Sequence, residues 1–355
     1  MRRNNKCLQV LFLVFAMLLL SSCQASIGET AKMPSDEETP EKEVLHLSVA
    51  SAAYMEGVVT GEVVLDAIDK MEEWSDGTIE VVLHDGGELG GDDILMKGAV
   101  QGTLSIVNAV SSAQVETVPE VALLGIPCMF ESTEQFNRLI ESEYGERLQE
   151  YYNKAGLQLL ACFGDNYRNL TANSLITSVE EIRGLKMRTL DNPYHIAFWR
   201  ALGADASYYN FNDLYTALQQ GVYEAQENPN TAIIGARLHD VQRYVINTRH
   251  VIIDNIYVMN KEQWDALTDD QQALIRKFME YIRTEQISRG PEKYRLMDQE
   301  LVDSFGMTVF EPSGQFLEEL SVGKDAVIKL LRQDLGDVVV DDFLAAVESV
   351  KAAER

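Results

Sequence analysis

The sequence predicts an α/β protein of two lobes, each a mostly parallel sheet flanked by helices. Strand-like and helix-like runs alternate with short connections from Leu45 to Asn108, and a second alternating unit opens near Leu157. Alternation of this kind builds parallel sheets through right-handed crossovers. The chain has 355 residues, of which 333 follow an N-terminal targeting segment, more than one hydrophobic core usually serves.

The targeting segment carries Arg2, Arg3 and Lys6 ahead of a 13-residue run, Leu8 to Leu20, whose single polar residue is Gln9. A bilayer span needs about 20 apolar residues, so the run fits the hydrophobic part of a secretory signal over residues 1–22. It ends in Leu20-Ser21-Ser22-Cys23, which resembles a lipobox and implies that Cys23 is the lipidated first residue of the mature chain. Residues 23–43 lack apolar periodicity and crowd Asp36, Glu37, Glu38, Glu41 and Glu43 around two prolines, the composition of a solvated tether.

Leu45, Leu47 and Val49 alternate with polar residues as a first strand. Met55 to Trp74 has helical spacing, with Val58, Val59, Val63, Ala67, Ile68 and Met71 on one face. Thr78 to Leu83 and Leu104 to Asn108 are the next strands, and open sheets of this order bind ligands beyond the carboxyl ends of their strands. The glycine-rich segment His84 to Asp93 has no phosphate-loop lysine and no EF-hand spacing. It predicts a turn, with Asp92 and Asp93 starting a helix.

Leu157 to Phe163 is strand-like, and residues 232–250 and 262–289 are predicted as long helices, the second opened by the capping box Thr268-Asp-Asp-Gln271. Residues 290–355 are helical and amphipathic, the last twenty, 336–355, forming a C-terminal helical segment.

Without the three basic residues of the signal, 27 basic residues face 56 acidic ones, which excludes nucleic acid as a partner and argues against docking on anionic lipid. The charge is uneven. Residues 44–164 hold 20 acidic and 5 basic residues, whereas residues 165–250 hold 9 and 8, seven of the latter arginine. The shift marks a lobe boundary and makes the second region the anion-facing one. Cys128 and Cys162 lie in apolar runs, as buried free thiols or, in an oxidising compartment, a disulfide.

The residues that carry function lie between Gly184 and Pro229. A strand-like run ends Gly-Leu-Lys-Met-Arg (184–188), and a later one ends Gln-Glu-Asn-Pro (226–229). Side by side in one sheet they bring a guanidinium and an amide to the same edge. A guanidinium holds a carboxylate with two parallel charge-assisted hydrogen bonds, a fork that lysine cannot match. The five histidines stand in no metal-ligand pair and no nucleophile elbow, so no metal, cofactor or enzyme activity is expected.

This order of landmarks resembles the substrate-binding subunits of tripartite ATP-independent periplasmic (TRAP) transporters, from Val44 to about residue 335. The resemblance implies a two-lobed solute-binding protein with a ligand cleft between the lobes and a long connecting helix. Lobe I takes 44–164 and about 254–292, and lobe II takes 165–253 and about 293–335. It implies that Arg188 pairs with the substrate carboxylate, that Arg168 in Asn166-Tyr-Arg-Asn169 is a second arginine, and that Asn228 bonds the same carboxylate. Phe211 would pack on the ligand, and Glu227 and Asp92 are further candidate contacts. The chain departs from many relatives in having Glu224-Ala225 ahead of the Gln-Glu-Asn-Pro motif. It reads Asn108-Ala-Val-Ser-Ser112 where sialic-acid binders place a glutamate, which counts against sialic acid. The function implied is reversible capture of an organic acid, a dicarboxylate or a sugar acid, outside the cytoplasm. Delivery goes to a membrane permease, or alternatively to a sensory receptor, with membrane contact through the N-terminal lipid only.

Overall fold

Among the described residues nine strands join in a single sheet whose order is β2-β1-β3-β8-β4-β7-β5-β6, with β9 alongside β8. The computed structural model describes residues 44–53 and 58–353, which belong to one compact unit. The signal, Cys23 and the tether lie outside the described residues.

On one side of the sheet stand β1 (Leu45–Ser51), β2 (Ile79–His84) and β3 (Ile106–Ala109), mutually parallel. On the other stand β5 (Lys186–Thr189), β6 (Asp205–Tyr208) and β7 (Ala225–Asn228), also parallel. Two long antiparallel strands, β4 (Leu157–Ala172) and β8 (Tyr244–Asn260), run through both sides, and the short β9 (Thr308–Phe310) lies along the start of β8.

The register fixes where the two sides meet. The carboxyl end of β3 reaches β8 at Ala109 opposite Ile256, and that of β7 reaches β4 at Asn228 opposite Asn169. All six parallel strands therefore aim their carboxyl ends at one stretch where β4 163–168 and β8 251–255 pair only with each other. At about 3.3 Å per residue this gap is roughly 20 Å long. Its pairing is irregular. Asp165 is an extra residue between Gly164 and Asn166, and residues 247–250 of β8 bulge between the pairs Arg168–Val251 and Leu170–Ile246. Bulges bend and twist strands and re-aim their side chains.

Helices cover both faces. α1 (Val59–Trp74) packs Val59, Val63, Val64, Ala67 and Met71 on β1 and β2, and α2 (Asp92–Gln101) leads into β3. A short α3 (Ser111–Gln114), then α4 (Thr133–Glu141) and α5 (Glu143–Lys154), cover the opposite face. α6 (Pro193–Ala201), α7 (Leu214–Gln219) and α8 (Asn230–Gly235) flank β5–β7, and α9 (Lys261–Ala266) follows β8. The 35-residue α10 (Asp269–Asp303), opened by the Thr268–Gln271 capping box, packs on α1 and β4 and ends beside α8 and β9. α11 (Gly314–Ser321), α12 (Lys324–Leu335) and α13 (Asp337–Ala353) complete the shell, with Phe316, Val327, Leu331, Val340 and Phe343 buried.

Three expectations are corrected. Residues 232–250 are not one helix: α8 ends at Gly235, and β8 begins at Tyr244. Its run is β-branched and buried on both faces, so it lacks the alternation that marks a strand. The second unit does not open with a parallel strand, because β4 is antiparallel to both neighbours. The segment 262–289 is not one helix either: α9 ends at Ala266, and α10 starts at Asp269 and does not stop at Arg289 but continues through Gly290 and Pro291, with Gly290 packed beside the Tyr294 ring. Cys128 and Cys162 are free thiols.

Candidate functional site

β5 and β7 place Arg188 directly opposite Gln226, as the motif spacing predicts. Arg188 is 3% exposed. Its Nε donates to the Tyr209 carbonyl at 2.9 Å, and its guanidinium lies 5.7 Å from the centre of the Phe211 ring. Among the described residues no carboxylate stands within 4 Å of it. Burial lowers its pKa to about 10, with Glu227 acting in the opposite sense. The guanidinium is thus desolvated, held at one nitrogen and backed by an aromatic face, with its remaining donors unused by any internal acid.

Arg168 is placed differently. Its Nε bonds the Glu227 carboxylate, and its Nη2 donates to Glu227 Oε1 at 3.0 Å, to the Glu227 carbonyl at 2.6 Å and to Asn228 Oδ1 at 3.1 Å. Glu227 is fully buried and also receives Thr189 Oγ1 at 2.7 Å, with His250 Nε2 at 3.3 Å. Burial alone pushes a carboxyl upward, but Arg168 and the hydrogen bonds from His250 and Arg168 more than reverse it, holding Glu227 well below the usual range. The β8 bulge brings His250 to this point, where Thr248 bonds its Nδ1 and Phe198 and Trp199 pack on its ring. Asn228 is committed as well, its Nδ2 donating to Gln226 Oε1 at 2.5 Å.

The fold therefore brings Arg188, Arg168, Glu227, Asn228 and Phe211 together at the carboxyl ends of β5 and β7 and the adjoining gap. Phe211 is 40% exposed, consistent with a ring at the edge of a site rather than in the core. Asp92 stands apart from them as the first residue of α2, beyond the carboxyl end of β2 on the other side of the sheet. Burial and the neighbouring Asp93 raise its pKa. Sequence reasoning did not single out Thr189 and His250. Thr189 follows Arg188 on the same strand, but nothing local marks His250, which reaches Glu227 only through the bulge.

A family model, DctP (bacterial extracellular solute-binding protein, family 7), matches residues 56–333. A solute-binding protein of Roseobacter denitrificans is 31% identical over 277 residues, 78% of this chain and 84% of that one. The structure of a TRAP periplasmic solute-binding protein from Ochrobactrum anthropi, with its C-terminus bound in its ligand pocket, superposes with a TM-score of 0.81 at 29% identity, covering 88% of this chain and 98% of that one. Two more distant structures share the fold. A sugar-acid-binding protein of Advenella mimigardefordensis with galactonate has a TM-score of 0.79 at 21% identity, over 87% and 100% of the two chains. A TRAP protein of Shewanella oneidensis with succinate has 0.77 at 19%, over 86% and 99%. The relatives are solute-binding proteins of transporters, not enzymes. The chain belongs to family 7 of the bacterial extracellular solute-binding proteins, the substrate-binding subunits of TRAP transporters.

Proposed function

We propose that the protein is a lipoprotein, anchored through Cys23, that captures an organic acid on Arg188 and delivers it to a TRAP permease. The observation that carries this reading is the buried Arg188 guanidinium, fixed on the Tyr209 carbonyl and free of any internal carboxylate among the described residues. A charge kept out of water in this way gains most from a ligand that brings the opposite charge and a matching fork of acceptors. The galactonate and succinate held by the two fold relatives belong to that chemical class. In this reading Phe211 covers the ligand at Arg188, and Asn228 and Glu227 hold Arg168 so that its remaining nitrogen faces the same acid. Asp92 meets the ligand from the other lobe.

The two lobes are 44–164 with about 254–292 and 165–253 with about 293–335. They close about β4 163–168 and β8 251–255, where the strands are irregular and only two wide. The second boundary falls within α10, so closure bends or rotates about that helix near Gly290 and Pro291.

The test is calorimetric titration of the purified protein with a panel of organic acids, and with neutral sugars as controls. An acid should bind, and Arg188→Ala should weaken it by roughly 30-fold to several-thousand-fold, the effect of removing one partner of a buried charge pair. Binding that is confined to neutral sugars, or indifferent to Arg188, would reject the proposal.

A further inference from the structure

We infer that Tyr223 is a positioning residue for ligand capture: it fixes the strand end whose Tyr209 carbonyl holds Arg188, and so aims the guanidinium at the acid. The inference rests on Arg188 being the carboxylate partner, as proposed above, and adds what keeps that side chain in place. An arginine loses rotamer freedom when a ligand fixes it, so one already held in its binding orientation binds more tightly. Arg188 Nε donates to the Tyr209 carbonyl at 2.9 Å, which leaves the terminal nitrogens for the acid. That carbonyl lies outside the sheet ladder. The β5–β6 register ends with Thr189 opposite Tyr208, and Tyr209 is the first residue beyond it. The turn that follows is closed by its own bonds, the Asn212 N–H on Asn210 Oδ1 at 2.9 Å and the Asp213 N–H on the Asn210 carbonyl at 3.3 Å. Neither bond reaches Tyr209.

Tyr223 supplies the support. It stands just before β7, where Glu224 ties the chain to β5: the Glu224 N–H donates to the Lys186 carbonyl at 2.9 Å, and the Glu224 carboxylate accepts from the Lys186 N–H at 3.1 Å. From that base the side chain reaches past β5, which lies between β7 and β6, to the end of β6. Its Oη lies 2.8 Å from Ser207 Oγ and faces the Tyr208 carbonyl at 3.4 Å. Its ring meets the Tyr209 ring edge to face, with 5.5 Å between centres and 61° between planes, an arrangement aromatic pairs favour. The register sets Ser207 directly beside Arg188, so those two side chains leave the sheet on one face, the face that the Tyr223 hydroxyl reaches. One side chain thus touches three successive residues, 207 to 209, of the segment that carries the carbonyl. Removing its hydroxyl keeps the ring contact and releases Ser207 and the backbone beside Tyr209.

Tyr223→Phe tests the idea, by calorimetry with galactonate, succinate and the other organic acids of the panel. An acid that binds the wild type should bind the folded variant roughly three- to tenfold more weakly, the effect of one lost hydrogen bond. The route of the effect is read from a double variant. Arg188→Lys has no Nε–H for the Tyr209 carbonyl, so adding Tyr223→Phe to it should weaken binding by less than about twofold. Arginine-selective NMR reads the same link without ligand. The Arg188 Hε signal, assigned by its loss in Arg188→Lys, should exchange with solvent faster in Tyr223→Phe, by a factor similar to the loss of affinity. An Hε signal unchanged by Tyr223→Phe overturns the inference, whatever the affinity does. A full-sized effect of Tyr223→Phe in the Arg188→Lys background overturns it as well, since Tyr223 then acts elsewhere. Either result leaves the Arg188 reading standing, provided Arg188→Ala abolishes binding. Failure of every acid sinks the Arg188 reading and the inference with it. If Tyr223→Phe does not fold, Ser207→Ala removes the same hydroxyl pair from the other side and is held to the same outcomes.

Discussion

Arg168 and Asp165 lie three residues apart on β4, within the same gap, and their surroundings solve the burial of charge in opposite ways. At Arg168 the charge meets its counterion, and the Glu227 carboxyl is held well below the ordinary range. At Asp165 every hydrogen-bond donor is neutral: Asn255 Nδ2 at 3.2 Å, Gln286 Nε2 at 2.7 Å and Tyr294 Oη at 2.7 Å. Burial dominates there, and three hydrogen bonds limit the rise without cancelling it, leaving Asp165 at about 6. Asp254, one strand away, is bonded by Ser111, whose backbone N–H reaches Oδ1 at 2.8 Å and whose side chain assists; it has no partner on Oδ2, and it too lies at about 6. An opposite charge stabilises a buried ion where dipoles only lessen its penalty.

The largest effect should come from breaking the paired centre. Glu227→Ala strands Arg168 in a desolvated setting and removes the acceptor of Thr189 and the partner of His250, so a loss of about 3–5 kcal/mol is expected. Chemical denaturation of the variant beside the wild type checks it. A loss of only a few tenths would mean that water reaches Arg168 and that the pair is not truly buried.

Neutralising the unpaired centre should act in the other direction. For Asp254 the folded-state pKa, about 6, lies above the ordinary value of 3.8, so the folded protein binds the proton more tightly than the unfolded chain. Stability from this group is complete below about pH 4 and is lost as the pH rises through 6. Asp254→Asn keeps the acceptor for Ser111 and removes the charge. It should therefore match the wild type near pH 4 and exceed it by about 3 kcal/mol above pH 6, at 1.36 kcal/mol per pKa unit. His195 slopes the opposite way, because its lowered pKa of about 4 makes stability rise with pH between about 4 and 6.5. The difference between variant and wild type, rather than either profile alone, isolates Asp254. A constant difference across that range would show that Asp254 does not titrate there.

The same contrast explains what was legible in the sequence. The edge that bears Arg188 and Gln226 could be foreseen because the two motifs fall in short strands, Lys186–Thr189 and Ala225–Asn228, whose parallel register sets the two residues opposite each other. The engagement of Arg168 by Glu227 could not, since it depends on β4 running on past Phe163 through Gly164-Asp165-Asn166. Those polar residues end the apolar pattern because the strand there lines the gap instead of a core. β8 failed for the complementary reason: buried on both faces over most of its length, it shows no alternation and fits a helix as well as a strand. His250 reaches Glu227 through a four-residue bulge whose position is set by the partner strand, which no local pattern encodes.

The smallest expected effect dissects the dipoles around Asp165. Tyr294 on α10 donates to Asp165 Oδ2, and Gln286, about two turns earlier on the same face, donates to the same oxygen and to Thr60 of α1. Tyr294→Phe removes one donor and keeps the ring beside Gly290, so about 1 kcal/mol of stability should be lost at neutral pH. The loss should shrink as the pH falls, because protonated Asp165 no longer depends on the donor for charge stabilisation, and the Asp165 midpoint should move further up from about 6. Carboxyl-selective NMR titration of wild type and variant reads that midpoint directly. A midpoint that stays put would assign the stability of the Asp165 centre to Asn255 and Gln286 alone, and with it the link between β4 and α10 at the level where the two sides of the sheet meet.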